Sequence, residues 1–386
     1  MASFHNSSAK LQVTGKLRIL YTIPNFDTAG SGKALLNIAE GLDKSRFEPM
    51  IMCMHDRGQL FNKVRESGLK YYLLDYTTAM RPYHRGLPRC YKISRVFRQI
   101  RPDLIHSFHY AADYSESIAA KMAGIKWIYT KKNMNWGGSS KNGWRIRTLL
   151  ASGIIAQNSD MMREFFNGST KTILIPRGVS TAEFAPKAAD LSIKADLGLK
   201  PDDRIIISVA NLVPVKGIEV LLNAFSDIVD QIPDWRIVIV GDNSNEYGEL
   251  LKKIVFERGV DDKVVFTGKV QNVSEYLNLA DVFVLPTLNK GEGFPVSLLE
   301  AMANGIIVLG SAVPGIKDQL RALPDLLFEP GNHLQLANKL LKYCRMTAEH
   351  QHNLSNDLMA FVQQSYPIAK EVEEHMKFYL DLVNHD

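Results

Sequence analysis

Two kinds of hydrophobic pattern alternate along this chain. Short, nearly unbroken apolar runs recur, and between them lie longer stretches whose apolar positions fall three or four apart. Runs of the first kind fit strands buried on both faces, and stretches of the second fit the helices that cover them, so βαβ units and parallel sheets are predicted. Strands are predicted over residues 17–23, 49–54, 71–74, 104–107, 127–130, 153–156 and 172–175, then over 204–209, 236–240, 264–267, 282–285 and 306–309. The stretch 177–187, with Gly178 and Pro186, interrupts the pattern and predicts a boundary. Two doubly wound α/β domains follow, over 1–184 and 185–364, with a last helical segment over 365–386. Open sheets of this kind bind ligands beyond the carboxyl ends of their strands, so two of them face to face enclose a cleft lined by those loops.

Composition narrows the class. The 386 residues are 46% hydrophobic and 23% charged, which excludes a disordered or fibrous chain. Cys53, Cys90 and Cys344 are too few and too scattered for a disulfide framework or a cysteine zinc site, and they fit a reducing cytoplasm. Residues 1–15 hold no continuous apolar segment, and no stretch reaches the roughly 18 apolar residues of a spanning helix, so neither a secretory signal nor a membrane span is expected. The net charge of +5 hides an asymmetry. Residues 1–186 carry 27 Lys and Arg against 13 Asp and Glu, a net +14, whereas the remainder carries 19 against 28, a net −9. The first half is therefore expected to face something anionic, and nucleic acid, an anionic membrane surface and a phosphorylated substrate all fit.

Candidate chemistry sits in the loops that follow strands. After the first strand the chain reads Asp27-Thr28-Ala29-Gly30-Ser31-Gly32-Lys33, with a helix expected from about Ala34. Backbone N–H groups of such a turn can cradle phosphate oxygens, although a plain tight turn is the alternative. It is not a Walker A loop, because Asp27 and Ala34 stand where Gly and a hydroxyl are needed, and Leu35 takes the third Gly position of a dinucleotide fingerprint. In the second half Lys216 leaves a buried strand where it can reach a pyrophosphate, or else is a solvated lysine. Gly241 and Asp242 end another strand in a polar turn. The most informative constellation runs Gly291-Glu292-Gly293-Phe294-Pro295 and on through Ser297, Glu300 and Ala303. Glu292 lies in a Gly-rich loop, and Glu300 is expected about two turns into a helix whose N-terminus points back at that loop. The two carboxylates can then flank one ligand, with the helix end favouring an anionic group between them. Leu299 and Met302 fall on the core face.

His106 and His109 follow the strand over 104–107, and either can face the cleft as a proton carrier or be structural. No His, Cys or carboxylate set has zinc or EF-hand spacing. Arg85, Arg89, Lys92, Arg95, Arg98 and Arg101 recur beside Ile93, Val96, Phe97 and Ile100, a helix with a basic stripe next to an apolar one. Segments that rest on anionic membranes look so, and so do solvated helices on a sheet. Lys131, Lys132, Trp136, Gly137, Gly138, Lys141, Trp144, Arg145 and Arg147 form a second basic and aromatic stretch, expected as a mobile loop touching lipid or acceptor. Such interleaving also suits single-stranded nucleic acid, but no binding motif accompanies it and no nucleic-acid partner is expected.

Taken together these residues resemble the retaining glycosyltransferases of family 4, which have the GT-B fold of two Rossmann-like domains facing across a cleft. The resemblance covers nearly the whole chain and is most specific over Glu292 to Glu300, which fits that family's E-x7-E element. Pro102-Asp103-Leu104-Ile105-His106 resembles its P-D-h-h-H strand, Lys216-Gly217 its K-G phosphate element, and Gly30-Ser31-Gly32 its donor-diphosphate loop. The tail over 365–386 resembles the helix that crosses back to the first domain. The resemblance implies Glu292, His109 and Lys216 as the catalytic set, and Gly30, Ser31, Gly32, Asn211, Lys216, Gly293, Phe294, Pro295 and Glu300 as the donor-binding set. In it Lys216 would hold the pyrophosphate, Glu300 the ribose and Glu292 the transferred sugar, beside the N–H groups of Gly293 and Phe294. No metal or other cofactor is expected, because a lysine, backbone amides and a helix end neutralise the leaving diphosphate. Two departures stand out: Asn211 replaces the family's Arg, which removes one fixed positive charge, and Arg177-Gly178-Val179-Ser180 replaces N-G-V-D.

The expected protein is thus a hexosyltransferase-type enzyme. It would move a sugar from a nucleoside diphosphate donor, expected to be a UDP-sugar, to a hydroxyl of a glycan or polyprenyl-linked acceptor. The expected setting is bacterial surface polysaccharide synthesis, lipopolysaccharide or capsule, in the cytoplasm or peripherally on the inner face of its membrane. A GT-B sugar-nucleotide epimerase and a non-catalytic nucleotide-sugar-binding scaffold are the alternatives, the second motivated by Asn211.

Overall fold

The computed structural model describes residues 15–27, 29–58, 60–135, 141–289 and 292–384. Trp136, Gly137 and Gly138 of the second basic stretch, Gly291 of the glutamate loop and Thr28 lie outside them. Seven strands, β1 (Leu17–Thr22), β2 (Phe47–Cys53), β3 (Lys70–Leu73), β4 (Leu104–Ser107), β5 (Lys126–Lys131), β6 (Gly153–Ala156) and β7 (Thr172–Leu174), form one sheet in the order β3-β2-β1-β4-β5-β6-β7. A second sheet holds β8 (Arg204–Val209), β9 (Trp235–Val240), β10 (Val264–Gly268), β11 (Val282–Leu285), β12 (Ile307–Ser311) and β13 (Leu327–Phe328), ordered β10-β9-β8-β11-β12-β13. All pairings within them are parallel. The unbroken apolar runs have their cause here: Ile205, Ile206 and Ile207, like Val282 to Leu285, are covered by helices on both faces. The two-residue edge strand β13 is too short to leave such a run.

In each sheet the chain order reverses once, between β1 and β4 and between β8 and β11. Loops leaving the carboxyl ends of those strands diverge and open a crevice, so the topology places two ligand-facing points opposite each other. The helix Ala348–Ser365 contributes Leu358 and Val362 to the core of the second sheet. The chain then crosses beside the 177–187 connection, where the N–H of Val179 donates to the Tyr366 carbonyl at 2.9 Å and that of Ile368 to the Val179 carbonyl at 3.0 Å. The last helix, Ile368–Asn384, packs on the first sheet, where Val372, Phe378 and Tyr379 join the core of β1, β4 and β6.

Three local expectations need correction. The first helix starts at Ala29, not Ala34, so Gly30, Ser31 and Gly32 form its opening turn. Their low helix propensity suggested a loop, and packing overrides it: a Cβ on Gly32 would lie 2.6 Å from Leu60 and 2.8 Å from Phe26. The helix carrying Glu300 begins at Val296, so Glu300 is only just beyond its first turn. In the second basic stretch, Lys141–Leu150 is a helix that buries Trp144 and Arg147. The Arg147 guanidinium stacks 5.0 Å from the rings of Trp127 and Tyr129 and donates to the carbonyls of Asp113 at 2.5 Å and His109 at 3.3 Å. Lys131 is buried too. These charges stay inside the lobe and do not reach lipid.

Candidate active site

The second sheet builds its half of the site from the turns after β8 and β11. Lys216 ends a short turn, Pro214–Lys216, closed by Gly217 in the left-handed conformation at φ 64. A Cβ on Gly217 would come 2.4 Å from the Pro286 carbonyl, so only glycine lets this turn pass the end of β11. The turn aims the Lys216 ammonium at Glu292, whose Oε1 pairs with it and also accepts from Thr287 Oγ1 at 3.0 Å. Glu292 is 6% exposed. Pro295 then takes the cap position of the Val296–Ala303 helix, and its carbonyl accepts from Gln319 Nε2 at 2.8 Å. The Phe294 ring is buried against Tyr366. Asn211, where the family's Arg is expected, lies exposed on the loop after β8.

The first sheet reaches into the same place. Lys33, on the opening turns of the first helix, lies 3.0 Å from Glu183 and 3.7 Å from Glu300. Burial pushes the Glu300 carboxyl up from its usual range, and the Lys33 ammonium opposes that shift. Gly30 faces open space, whereas Gly32 is spent on packing. The two histidines separate clearly. His106 uses both ring nitrogens on the protein, 2.7 Å from Tyr379 Oη and 2.8 Å from Thr130 Oγ1, and lies under the last helix. His109, just past β4, keeps an unpartnered Nδ1, and burial, reinforced by Arg147, lowers its pKa to about 4.

The lobes meet around Gly293. Its carbonyl accepts from Asn158 Nδ2 at 2.5 Å, and a Cβ there would stand 1.9 Å from the Lys132 carbonyl, so any side chain would wedge the lobes apart. Nearby, the N–H and Oγ of Ser159 both donate to Asp318 at 2.6 Å, and Lys317 pairs with Asp160 at 3.1 Å. A cavity of about 440 Å³ opens between Asp27 and Gly58 on one side and Lys269, Val270 and Gln271 on the other. Among the described residues no group of three His, Cys, Asp or Glu is placed to hold a metal ion.

Glu292, Lys216, Gly293, Phe294, Pro295 and Glu300 thus gather along one seam, which Lys33 of the helix whose opening turn holds Gly30, Ser31 and Gly32 reaches at Glu300, and His106 is removed from it. Thr287, Asn158 and Asp318 escaped the sequence reading, and Lys132, read there only as part of a basic stretch, has its carbonyl against Gly293. Asn158 leaves a recognisable trace as the cap of the Ser159–Phe165 helix, but nothing local says that its amide reaches the other lobe. The set can neutralise an anionic diphosphate with lysines and helix ends while carboxylates accept from hydroxyls.

Comparison with known proteins bears on the family and the fold. Residues 28–183 match the family model described as Glycosyltransferase Family 4, and residues 190–357 match Glycosyl transferases group 1. N-acetyl-alpha-D-glucosaminyl L-malate synthase of Bacillus anthracis is 28% identical over 195 residues, 50% of this chain and 50% of that protein, so the match spans half of the relative's length. A solved glycosyltransferase from Rickettsia africae ESF-5 superposes with a TM-score of 0.84 at 18% identity, over 96% of this chain and 100% of that one. Anabaena HepE, crystallised in complex with UDP and glucose, gives 0.80 at 17% identity over 94% and 99%. The shared fold is GT-B.

Proposed function

The chain belongs to the family 4, group 1 type of glycosyltransferases, and on that premise we propose that it transfers a sugar, with retention, from a nucleoside diphosphate donor to an acceptor hydroxyl. The observation that carries this reading is the pairing of Lys216 with Glu292 at the reversal point of the second sheet, together with Glu300 eight residues further on, which Lys33 reaches from the first lobe. Lys216 exchanges its pairing with Glu292 for the donor diphosphate. Glu292, released, accepts from a hydroxyl of the transferred sugar, and Glu300 accepts from the ribose. The bond between the anomeric carbon and the diphosphate oxygen breaks, the acceptor oxygen bonds to that carbon, and the acceptor proton leaves with the diphosphate. No metal is needed where a lysine and the helix N-terminus beyond Pro295 already stabilise the departing charge. His109, neutral at pH 7 because of its lowered pKa, serves as a hydrogen-bonding group beside the sugar. A uridine donor is supported by the UDP and glucose bound in Anabaena HepE.

The acceptor is proposed to be a glycan or lipid-linked sugar presented at an anionic membrane surface. On the helix Tyr83–Ile100, Arg85, Arg89, Lys92, Arg95 and Arg98 are exposed, beside exposed Tyr83, Leu87 and Tyr91. Among the described residues no helix is long and apolar enough to cross a membrane. Charge reversal at Lys92, Arg95 and Arg98 is expected to abolish binding to anionic liposomes, and unchanged binding would sink this part. The central test is a thermal-shift series of nucleoside diphosphates and sugar nucleotides on wild type and Lys216→Ala. Stabilisation by one nucleotide, lost in the variant, supports the donor site, and turnover of the matching sugar nucleotide tests transfer. Stabilisation equal in both proteins would contradict the assignment of Lys216.

A further inference from the structure

The cations packed about the seam are nearly all matched with carboxylates. Lys216 pairs with Glu292, Lys33 with Glu183 and Glu300, and Arg177 with Glu371 at 3.0 Å, while Arg147 lies in the field of Glu116. Lys132 is different. It is partly buried, and no carboxylate among the described residues pairs with it. Its ammonium donates to the Phe108 carbonyl and stands 4.9 Å from the Phe108 ring and 6.0 Å from the Tyr110 ring. The charged groups that act on it are Arg177 and Arg147, both repulsive, and they add to burial in holding its pKa well below the usual lysine value. Its backbone carbonyl faces Gly293, so the residue is anchored against the loop that carries Glu292. An ammonium enclosed in this way, among like charges, is unfavourable until an anion arrives.

We propose that Lys132 is an anion-binding residue of the cleft, which takes a phosphate oxygen of the bound ligand and supplies from the first lobe the positive charge that Asn211 does not supply from the second. The aromatic faces of Phe108 and Tyr110 fix the ammonium without neutralising it, and the Phe108 carbonyl takes one of its three protons, which leaves two for phosphate oxygens. The phosphate belongs either to the donor diphosphate or to a phosphorylated acceptor. This assignment rests on the sugar-nucleotide reading only for the source of that phosphate.

The test is calorimetric titration of inorganic pyrophosphate into wild type, Lys132→Met and Lys132→Arg. Lys132→Met is expected to weaken pyrophosphate about tenfold or more, the worth of one charge-assisted hydrogen bond, with Lys132→Arg recovering most of it. The unliganded Lys132→Met protein is expected to melt no lower than wild type, because an unmatched charge has been removed from it. Pyrophosphate binding that is equally tight in Lys132→Met, or absent from wild type at millimolar concentration, overturns the proposal. Inorganic phosphate titrated in the presence of saturating UDP separates the sources. Lys132-dependent binding that survives UDP assigns the site to an acceptor phosphate, and binding displaced by UDP assigns it to the donor. A wild type that binds pyrophosphate through Lys132 and turns over no sugar nucleotide keeps this site and contradicts the transferase reading instead.

Discussion

At the reversal point of the second sheet, Lys216 and Glu292 stand on turns leaving β8 and β11 and hold each other. At the corresponding point of the first sheet the charges are bound to the lobe's own frame. Glu116 is fully buried and accepts from Thr22 Oγ1 at 2.5 Å and Ser107 Oγ at 2.7 Å, Arg147 is stacked among three aromatic rings, and His106 spends both nitrogens on Tyr379 and Thr130. One topology therefore serves two purposes. A pair held on turns by each other and by a single hydroxyl is exchangeable, since a ligand can replace either partner. A charge held by several buried groups is fixed, and its removal is felt by the fold. Lys33 stands between the two cases, part of the first lobe and turned toward Glu300 of the second.

The largest expected effect lies in the exchangeable pair. Lys216→Ala and Glu292→Gln are each expected to lower transfer roughly a hundred- to a thousandfold while far-UV circular dichroism is unchanged. A matching loss of folded structure would break the contrast between the lobes. Arg147→Met should do the reverse. It leaves Glu116 buried without its cation and is expected to cost about 3–5 kcal/mol in urea unfolding, more than it costs the ligand affinity of the protein that remains folded. An unaltered unfolding midpoint would show that Glu116 does not depend on Arg147.

The same buried frame predicts a dependence on acid. Burial lowers the pKa of His109 and His375 to about 4, below the value near 6.5 of the unfolded chain. Above pH 6.5 both states are neutral at these rings. Between 6.5 and 4 the unfolded chain takes up protons that the folded chain refuses, so stability falls as pH falls, by up to about 3 kcal/mol for each ring at pH 4. Urea midpoints measured across that window check the slope, and His375→Phe should flatten it in part. A midpoint that holds steady from pH 7 to 5 would contradict the buried, neutral state. The smallest effect concerns the clasp. Asp318→Ala removes both acceptors of Ser159 and is expected to loosen the lobes, raising the donor KM about fivefold with little change in stability. Small-angle scattering should show a larger radius of gyration, and an unchanged radius would place the hold on the lobes elsewhere.

Some of this was legible without coordinates. The strands showed because burial on both faces forces unbroken apolar runs, and β8 and β11 are the clearest cases. The glutamate loop showed because two carboxylates eight apart, set among Gly, Phe, Pro and Ala, have no place in an ordinary core. The start of the first helix did not show, because Gly30 and Gly32 read locally as a turn and only Phe26 and Leu60 explain why the helix needs glycine at position 32. Nor did the division of the basic residues. Arg95 and Arg147 are equivalent in composition, yet one lies on an open helix face and the other is enclosed by Trp127, Tyr129 and Trp144.

The two parallel α/β sheets and the order of their strands were readable along the chain, since hydrophobic periodicity is a property of sequence neighbours. The sequence also marked Lys216, Glu292 and Glu300 as chemically unusual in their loops. Which charges meet was settled by folding. Lys33 reaches Glu300, Asn158 reaches Gly293, and Lys132 has no carboxylate partner among the described residues, across separations of more than a hundred residues in the first two cases. Charge pairing acts over a few ångströms in space and is indifferent to distance along the chain, so the functional pairings of this protein come into being when the two lobes close on each other.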